Sequence, residues 1–176
     1  VPLRAGGFSF RYIHAANSAA TLASALTHFN AVRVGIAMYG LSPSGQVRVP
    51  EHCRPGMAWK TRVAQVKLLP PGHAVGYGNS YITSHSERVA ILPVGYADGL
   101  RRTPGQPGEV LVRGQRAPII GRVSMEKTII SVDHIPDVQM GDEAVLLGEQ
   151  DGASITAEAM AARWGTISYE VVCSIL

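Results

Sequence analysis

The start of the chain alternates short apolar runs with one stretch of helical periodicity. Residues 8–16 and 31–39 have the mixed apolar character of short strands. Between them, residues 18–28 are rich in alanine and carry apolar side chains at the spacing of one helix face, with Asn17 or Ser18 as the expected N-cap. A strand, a helix and a second strand in this order predict a βαβ unit, the building block of parallel sheets and of (β/α)8 barrels.

Alternation of apolar and polar positions dominates the remainder of the chain and predicts a β domain. In residues 57–69, Trp59, Thr61 and Val63 share one face, and the other face is charged. Turn-forming residues separate further strands, which we expect at residues 88–94, 109–112, 117–123, 128–132, 143–147 and 167–175. Strands this short and closely spaced favour a small barrel or a sandwich.

One helix and one boundary complete the expected organisation. Thr156 and Gly165 are suitable caps for a helix over residues 157–164. Serine, proline and glycine in residues 42–45 end the βαβ pattern, so we place a domain boundary after residue 45. The predicted architecture is the last βαβ unit of a (β/α)8 barrel in residues 1–45, followed by a predominantly β domain with one helix in residues 46–176.

Composition and charge argue against several classes of protein. The 176 residues are 46% hydrophobic, as expected for a globular protein with a buried core. The net charge is +3, but the basic residues are scattered and only 6% of residues are aromatic, which argues against a nucleic-acid partner. No apolar run approaches the roughly 20 residues needed to cross a membrane, and the six histidines lack the spacing of metal ligands.

The two cysteines, Cys53 and Cys173, are far apart in the sequence and form no C-x-x-C motif. Together with the absence of a signal segment, this pattern predicts a reduced, cytoplasmic setting. We expect each thiol to act as a buried small apolar group rather than as a reactive one.

Polar residues accompany the two predicted strands. His14, Asn17 and Ser18 lie at the end of the first, and Arg33 and Gly35 lie in the second. A hydroxyl, a cation and bare backbone N–H groups at an open strand end suit the phosphate of a cofactor. On the residues alone, however, Ser18 is better explained as an N-cap, His14 as a satisfied buried histidine and Arg33 as an exposed strand-end arginine.

Six short motifs follow one another along the chain. They are HAANS at 14–18, RVGIAMYG at 33–40, GYG at 76–78, PVGYADG at 93–99, GRVSM at 121–125 and TISYE at 166–170. In this order they resemble the motifs of the alanine racemase family. Its members are pyridoxal phosphate (PLP) enzymes with a (β/α)8 barrel followed by a β domain. The resemblance runs from about His14 to the end of the chain.

The resemblance implies a catalytic role for Tyr77. Racemisation removes a proton from one face of a carbon and returns a proton to the other face, so it calls for two bases. In the family the second base is a tyrosine of the β domain, and the motif carries that role to Tyr77. Its neighbours Gly76 and Gly78 suit a tight backbone that points the ring outward. Without the resemblance, Tyr77 would be an ordinary hairpin tyrosine.

The resemblance also implies a cofactor site in the first part of the chain. Ser18, the backbone N–H groups of Gly35 and Ile36, and the hydroxyl of Tyr169 would hold the PLP phosphate, with Asn17 beside them. Arg33 would lie against the pyridine nitrogen and keep it unprotonated, which weakens the electron sink and discourages side reactions. His14 would orient Arg33.

For the substrate, the resemblance assigns the backbone N–H of Met125 to the amino-acid carboxylate. Tyr96, Arg102 and Arg122 would narrow the access path. Glu126 departs from the family, which usually has Asp at that position, but both residues are acidic. The family is a homodimer in which Tyr77, Tyr96 and Met125 face the barrel of the partner.

The family's cofactor lysine has no match among Lys60, Lys67 and Lys127. We therefore interpret the chain as the tail of the barrel plus the β domain of a larger enzyme. Two alternatives stay open. A serine-preferring or broad-specificity amino-acid racemase would share every motif. A non-catalytic dimerisation module would explain the missing lysine, but would need neither Tyr77 nor Arg33.

We predict that this chain by itself does not racemise alanine, because it supplies no anchoring amine for PLP. The test is to incubate the chain with PLP and L-alanine and to assay D-alanine. Robust turnover would contradict the prediction.

Overall fold

The computed structural model describes residues 6–102 and 108–175, and its contacts divide the chain into two compact units. The first unit is Val1–Gly56 and the second is Met57–Leu176. This division lies later than the predicted boundary after residue 45. The reason is that the turn-rich segment folds back locally, with the Gly56 N–H donating to the Tyr39 carbonyl at 3.0 Å.

The first unit contains less regular structure than the βαβ pattern predicts. Its elements are helix α1 (Ser18–Ala23) and two 3-10 helices (Ala25–Thr27 and Ile36–Tyr39). The strands predicted over residues 8–16 and 31–39 are wrong as strands, because only one isolated parallel bridge joins His14 to Ala31. A parallel strand is stable when neighbours pair with it on both sides, and each of these segments has one partner in this unit.

The predicted helix over residues 18–28 is shorter than expected. Asn17 is its N-cap, as one of the two predicted alternatives, and its side-chain oxygen accepts from the Ala20 N–H at 3.0 Å. Ser24 ends α1 in an extended conformation (φ −158°, ψ 126°). The Ser24 hydroxyl accepts from the Leu26 N–H at 3.3 Å, so it caps the following 3-10 turn instead of continuing the helix.

The second unit is built on antiparallel strands, as predicted. The strands are β1 (Trp59–Arg62), β2 (Gln65–Leu69), β3 (Ala74–Val75), β4 (Tyr81–Ile82), β5 (Glu87–Leu92), β6 (Glu109–Val112), β7 (Gln115–Ile120), β8 (Thr128–Ser131), β9 (Glu143–Gln150) and β10 (Ala153–Ile155). The main sheet has the order β1-β9-β6-β7-β8-β5-β2, with β10 added beside β9, while β3 and β4 form a separate hairpin. The strands β3, β4 and β10 are too short for the sequence pattern to predict.

The long alternating run over residues 57–69 closes the sheet on itself. It forms two strands rather than one, because the chain changes partner between β1 and β2. The Val63 N–H donates to the Asp142 carbonyl at 2.8 Å on the β9 side, and the Ala64 N–H donates to the Ile91 carbonyl at 2.9 Å on the β5 side. Since β1 and β2 occupy opposite ends of the strand order, this two-residue link makes the sheet a barrel.

Alternation along the strands fills the core of the barrel. Trp59 and Val63 are buried, whereas Lys60 and Arg62 between them are exposed, which confirms the predicted face of this run. The largest fully buried side chains come from five strands and two connecting segments, and include Leu92, Leu111, Ile130, Val132, Leu146 and Ile155. Each such side chain contributes about 1.5–3 kcal/mol through its removal from water.

Two α-helices follow the strands where the pattern predicts one. Helix α2 (Ala157–Trp164) is confirmed with both caps, since the Thr156 hydroxyl accepts from the Ala159 N–H and Gly165 is left-handed (φ 66°). The strand predicted over residues 167–175 is wrong, because helix α3 (Ser168–Ser174) forms there. Its sequence is rich in β-branched residues, but burial of Val171 and Val172 overrides that local preference.

The cysteines differ from expectation. Cys173 is exposed and Cys53 is half-buried, and both are unpaired. Cys173 lies on the outer face of α3, opposite the buried Val171 and Val172, so the helix rather than the expected strand decides its exposure. Within the described ranges, no helix is long and apolar enough to span a membrane, and no group of three potential ligands is placed to hold a metal ion.

Glu109 joins the sheet to helix α2. Its carboxylate is hydrogen-bonded to Arg116 on the adjacent strand β7 and to Arg163 on α2. Partial burial alone would raise the pKa of this carboxyl, but the hydrogen bonds from Arg163 and Arg116 outweigh burial and hold the pKa below its ordinary value. The carboxylate is therefore more stable in the folded state than in the unfolded chain.

We predict that Glu109→Gln lowers the free energy of unfolding by about 1 kcal/mol at pH 7. Because the folded pKa of Glu109 is depressed, its contribution is present above the ordinary glutamate pKa of about 4.3 and disappears as the pH falls through the folded pKa. Urea unfolding at pH 7 and pH 3 measures both values. The exposed Glu149→Gln variant is the control, and an equal loss at both pH values would contradict the prediction.

Candidate functional site

Ser18 organises the candidate site of the first unit. Its side chain is only 4% exposed, and its hydroxyl oxygen accepts from the Gly35 N–H at 2.9 Å and from the Ala37 N–H at 3.3 Å. The first turn of α1 and the turn that begins at Gly35 are thus joined through one oxygen. The sequence predicted that Ser18, Gly35 and Ile36 act together, and the structure joins Ser18 to Gly35 and Ala37, the two neighbours of Ile36.

The hydrogen-bond donors at this junction fit a phosphate group. The Ser18 oxygen accepts two N–H bonds, and within the described ranges its own proton has no acceptor. Ile36 begins a 3-10 helix, so its N–H has no acceptor inside that helix. Gly35 leaves open space, because a Cβ built there would approach no closer than 3.9 Å to Ser18 Oγ. By contrast, the Gly35 N–H is already bonded to Ser18, so it reaches an anion only by leaving that partner.

The remaining candidates of the first unit flank this junction. Asn17 uses its side-chain oxygen as the N-cap of α1. His14 and Arg33 lie on the two paired segments, with the Arg33 N–H donating to the Ala16 carbonyl at 2.8 Å. Both side chains are exposed. No hydrogen bond between the His14 ring and the Arg33 guanidinium occurs among the described residues, so orientation of Arg33 by His14 stays a prediction.

Tyr77 lies at the tip of the hairpin formed by β3 and β4, and 67% of it is exposed. Its two neighbours, Gly76 (φ 74°) and Gly78 (φ 70°), are both in the left-handed region that glycine adopts without strain. The backbone at Gly76 contacts the Arg122 backbone, since an added Cβ would lie 2.9 Å from the Arg122 nitrogen. The tight turn that points the ring outward is the one expected from the Gly-Tyr-Gly motif.

Tyr96 and Met125 meet through a second glycine contact. A Cβ on Gly95 would lie 2.2 Å from the Ser124 carbonyl oxygen and 2.3 Å from that of Met125. The same carbonyls accept from the Tyr96 N–H at 3.1 Å and from the Ala97 N–H at 2.9 Å. Both side chains are exposed. The Met125 N–H, predicted to hold the substrate carboxylate, has no acceptor within the ranges that the structure describes.

Arg102 and Tyr169 are tied together through their sequence neighbours. Arg101 forms an ion pair with Glu170 at 2.6 Å, and Glu170 also accepts from the Thr166 hydroxyl. These contacts hold the start of α3, where Tyr169 lies, next to the segment that leads into Arg102. At the other end of α3, a Cβ on Gly99 would lie 2.0 Å from the Ser174 carbonyl oxygen.

The site candidates therefore form two groups, one in each unit. In the first unit they are Ser18, Gly35 and Ile36, with Asn17, His14 and Arg33 beside them. In the second unit, close backbone contacts and one ion pair collect Tyr77, Tyr96, Arg102, Arg122, Met125 and Tyr169. Sequence reasoning missed the supporting residues Gly95, Gly121 and Glu170, although each belongs to a motif that it quoted.

Comparison with known families agrees with this arrangement. Residues 56–176 match the model for the alanine racemase C-terminal domain, and residues 2–43 match the model for the alanine racemase N-terminal domain. The chain belongs to the alanine racemase family. This confirms the predicted fold class, a short barrel segment followed by a mostly β domain with few helices.

Individual alanine racemases resemble the chain over almost its whole length. The enzyme of Desulfosudis oleivorans is 49% identical over 174 residues, which is 98% of this chain and 45% of that relative. A crystal structure of the Bacillus anthracis enzyme with bound L-Ala-P has 42% identity and a TM-score of 0.88, over 99% of this chain and 45% of that one. The Bartonella henselae enzyme with covalently bound pyridoxal phosphate has 30% identity and a TM-score of 0.79, over 91% and 43%. The chain thus spans a little under half the length of these alanine racemases.

We predict that Gly95→Ala lowers the free energy of unfolding of the second unit by about 3 kcal/mol, because its methyl group would overlap two carbonyl oxygens. Gly108→Ala is the matched control in the same unit, since a Cβ there meets only the tip of the Ile119 side chain, at 3.4 Å, and its effect should stay within about 0.5 kcal/mol. Urea unfolding of both variants measures the difference. Equal midpoints would show that the Tyr96 turn does not rest on Met125.

Proposed function

We propose that the protein to which this chain belongs is a PLP-dependent alanine racemase that interconverts L- and D-alanine by a two-base mechanism. The observation that carries the proposal is the exposed Tyr77, held at a hairpin tip between two left-handed glycines. Membership of the alanine racemase family supports it, as does the relative whose structure contains covalently bound pyridoxal phosphate. The substrate is a small amino acid.

Tyr77 is the base for one face of the substrate's α-carbon. A phenolic oxygen both accepts and donates a proton, so the same group serves abstraction in one direction and reprotonation in the other. For this role the position of the Tyr77 oxygen matters most, because proton transfer needs that oxygen within hydrogen-bond reach of the proton on the α-carbon. The contact between the Gly76 backbone and the Arg122 backbone limits the movement of the turn that carries the ring.

The Met125 N–H holds the substrate carboxylate. It is a backbone donor on the segment that also contacts the Tyr96 turn, so the carboxylate position and the access path are set by one piece of chain. Tyr96, Arg102 and Arg122 narrow that path. A site of this kind selects a small amino acid by excluding larger ones.

Ser18, Ile36 and Tyr169 hold the PLP phosphate, with Gly35 allowing its close approach, while Arg33 lies beside the pyridine nitrogen. When bound, PLP supplies the electron sink that makes an α-proton acidic enough to be removed. Arg33 keeps the ring nitrogen unprotonated because a guanidinium is always charged and cannot accept a proton. His14 orients Arg33, and Asn17 fixes the start of the helix that presents Ser18.

The complete protein is a homodimer in which the second unit of one subunit faces the barrel of its partner. The exposed side chains of Tyr77, Tyr96 and Met125 support this arrangement, since backbone contacts link the turns that carry them, and large exposed side chains on neighbouring turns are typical of an interaction surface. Lys60, Lys67 and Lys127 do not match the family's cofactor lysine, so in this proposal another part of the complete protein supplies the anchoring amine for PLP. Without that lysine the isolated chain is inactive.

The unpaired cysteines support a cellular location. We place the enzyme in the cytoplasm, where two unpaired cysteines persist in the reduced form. Its product, D-alanine, serves peptidoglycan synthesis.

We predict that Tyr77→Phe in the complete enzyme lowers kcat for racemisation by about 10²–10⁴-fold, because the ring remains but the proton carrier is lost. Racemisation of L-alanine and D-alanine is measured by circular dichroism, with L-serine included to separate an alanine-specific enzyme from a broader one. Tyr12→Phe removes another exposed phenol and should leave kcat unchanged. Full activity of Tyr77→Phe would refute the two-base assignment.

A further inference from the structure

Arg122 packs its guanidinium on the bare α-carbon of Gly78, directly after Tyr77. A Cβ built on Gly78 would lie 2.6 Å from Arg122 Nη1 and 3.4 Å from Cζ. The neighbouring arginines have other reasons for their positions, since Arg101 pairs with Glu170 and Arg163 with Glu109. Among the described residues, the Arg122 side chain has no ion pair and no hydrogen bond. Its position is therefore described by its contact with Gly78.

Backbone contacts hold the two turns together beneath this guanidinium. A Cβ on Gly76 would lie 2.9 Å from the Arg122 nitrogen, and a Cβ on Gly121 would lie 2.7 Å from the Val75 carbonyl oxygen. Gly121 is also left-handed (φ 68°). Gly76 and Gly121 therefore allow the two turns to touch, and the Arg122 side chain adds a contact at Gly78 on the other side of Tyr77.

We propose that Arg122 is a positioning residue for Tyr77. Its guanidinium restricts the turn over Tyr77–Asn79, so that the phenol stays aimed in one direction. This inference rests on the proposed function of Tyr77 as a base, and it differs from the role in the access path expected for Arg122. A misplacement of about 1 Å in a catalytic group costs on the order of 10²-fold in rate, which is the scale on which such a contact matters.

The test uses Arg122→Ala in the complete, PLP-loaded enzyme. The equilibrium constant between enantiomers is one, so kcat/KM must fall equally in both directions, and we expect a fall of about 10–100-fold. The informative measurement is the kinetic isotope effect on kcat/KM. For the enantiomer whose proton Tyr77 removes, the isotope effect measured with α-deuterated alanine should rise. For the other enantiomer, Tyr77 returns a proton instead, so the isotope effect measured in deuterated solvent should rise.

A role limited to the access path would give the opposite result. Substrate capture would then limit kcat/KM, and both isotope effects would fall towards one. That result would overturn the proposal.

A second variant tests the contact itself. Gly78→Ala places a methyl group where the guanidinium lies and should displace that flexible side chain. Because Gly78 is left-handed (φ 70°), the alanine also strains the backbone, and that part of the loss is the same with and without Arg122. The part that acts through Arg122 disappears in the Arg122→Ala background, so Gly78→Ala should lower the rate less there than in the native enzyme. Fully multiplying losses would overturn the proposal.

Amide hydrogen exchange gives a readout that does not depend on activity. Exchange over residues 76–80 should be faster in Arg122→Ala than in the native enzyme, and it should be unchanged in Arg62→Ala. Arg62 is a suitable control because its guanidinium donates to the Gly141 carbonyl at 2.9 Å, away from this turn. Unchanged exchange and isotope effects in Arg122→Ala, together with an inactive Tyr77→Phe, would reject the positioning role while leaving the proposed function standing.

Discussion

The candidate site of the second unit is assembled by direct backbone contacts at glycine positions, where a side chain would not fit. Gly76, Gly95 and Gly121 each bring two turns closer than a Cβ would permit. Segment 121–125 takes part in all three contacts, so it links the Tyr77 turn to the Tyr96 turn and carries Met125. Such contacts are stiff, because backbone atoms cannot rotate away as a side chain can. The exposed side chains of the site therefore stand on a rigid base.

The barrel provides the frame for these turns. The run through Val63 and Ala64 pairs with β9 at one end and with β5 at the other, so the main sheet has no long free edge. Closure of this kind protects strands from pairing with other chains. It also fixes where the connecting loops leave the sheet, and the functional residues of the second unit lie on loops, on a hairpin tip and at the start of α3 rather than in the core. Change in those loops can alter the site without disturbing the barrel.

The two groups of site residues have different characters. Around Ser18 the donors are buried hydroxyl and backbone groups, which suit a doubly charged phosphate that must be held in one place. Around Tyr77 the groups are exposed and combine large apolar side chains with the cationic Arg102 and Arg122, which suits a surface that meets another one. The proposed enzyme needs both, because the cofactor must stay bound while the second base acts on the opposite face of the substrate. This chain contains the candidate phosphate-holding groups and Tyr77, and none of its three lysines matches the family's cofactor lysine.

Interactions between residues close in the chain allowed several elements of this protein to be predicted from the sequence alone. Helix α2 with Thr156 and Gly165, the Asn17 cap and the buried face of Trp59 and Val63 follow from capping and alternation, which act between residues close in the chain. The motifs identified the family and predicted the candidate site residues, including Tyr77. Only the tertiary structure decided the partner change at Val63 and Ala64, the helix α3 in a β-branched sequence and the packing of Arg122 on Gly78. Each of these depends on atoms far apart in the sequence, and local preferences are too weak to decide against the burial and backbone contacts that such atoms provide.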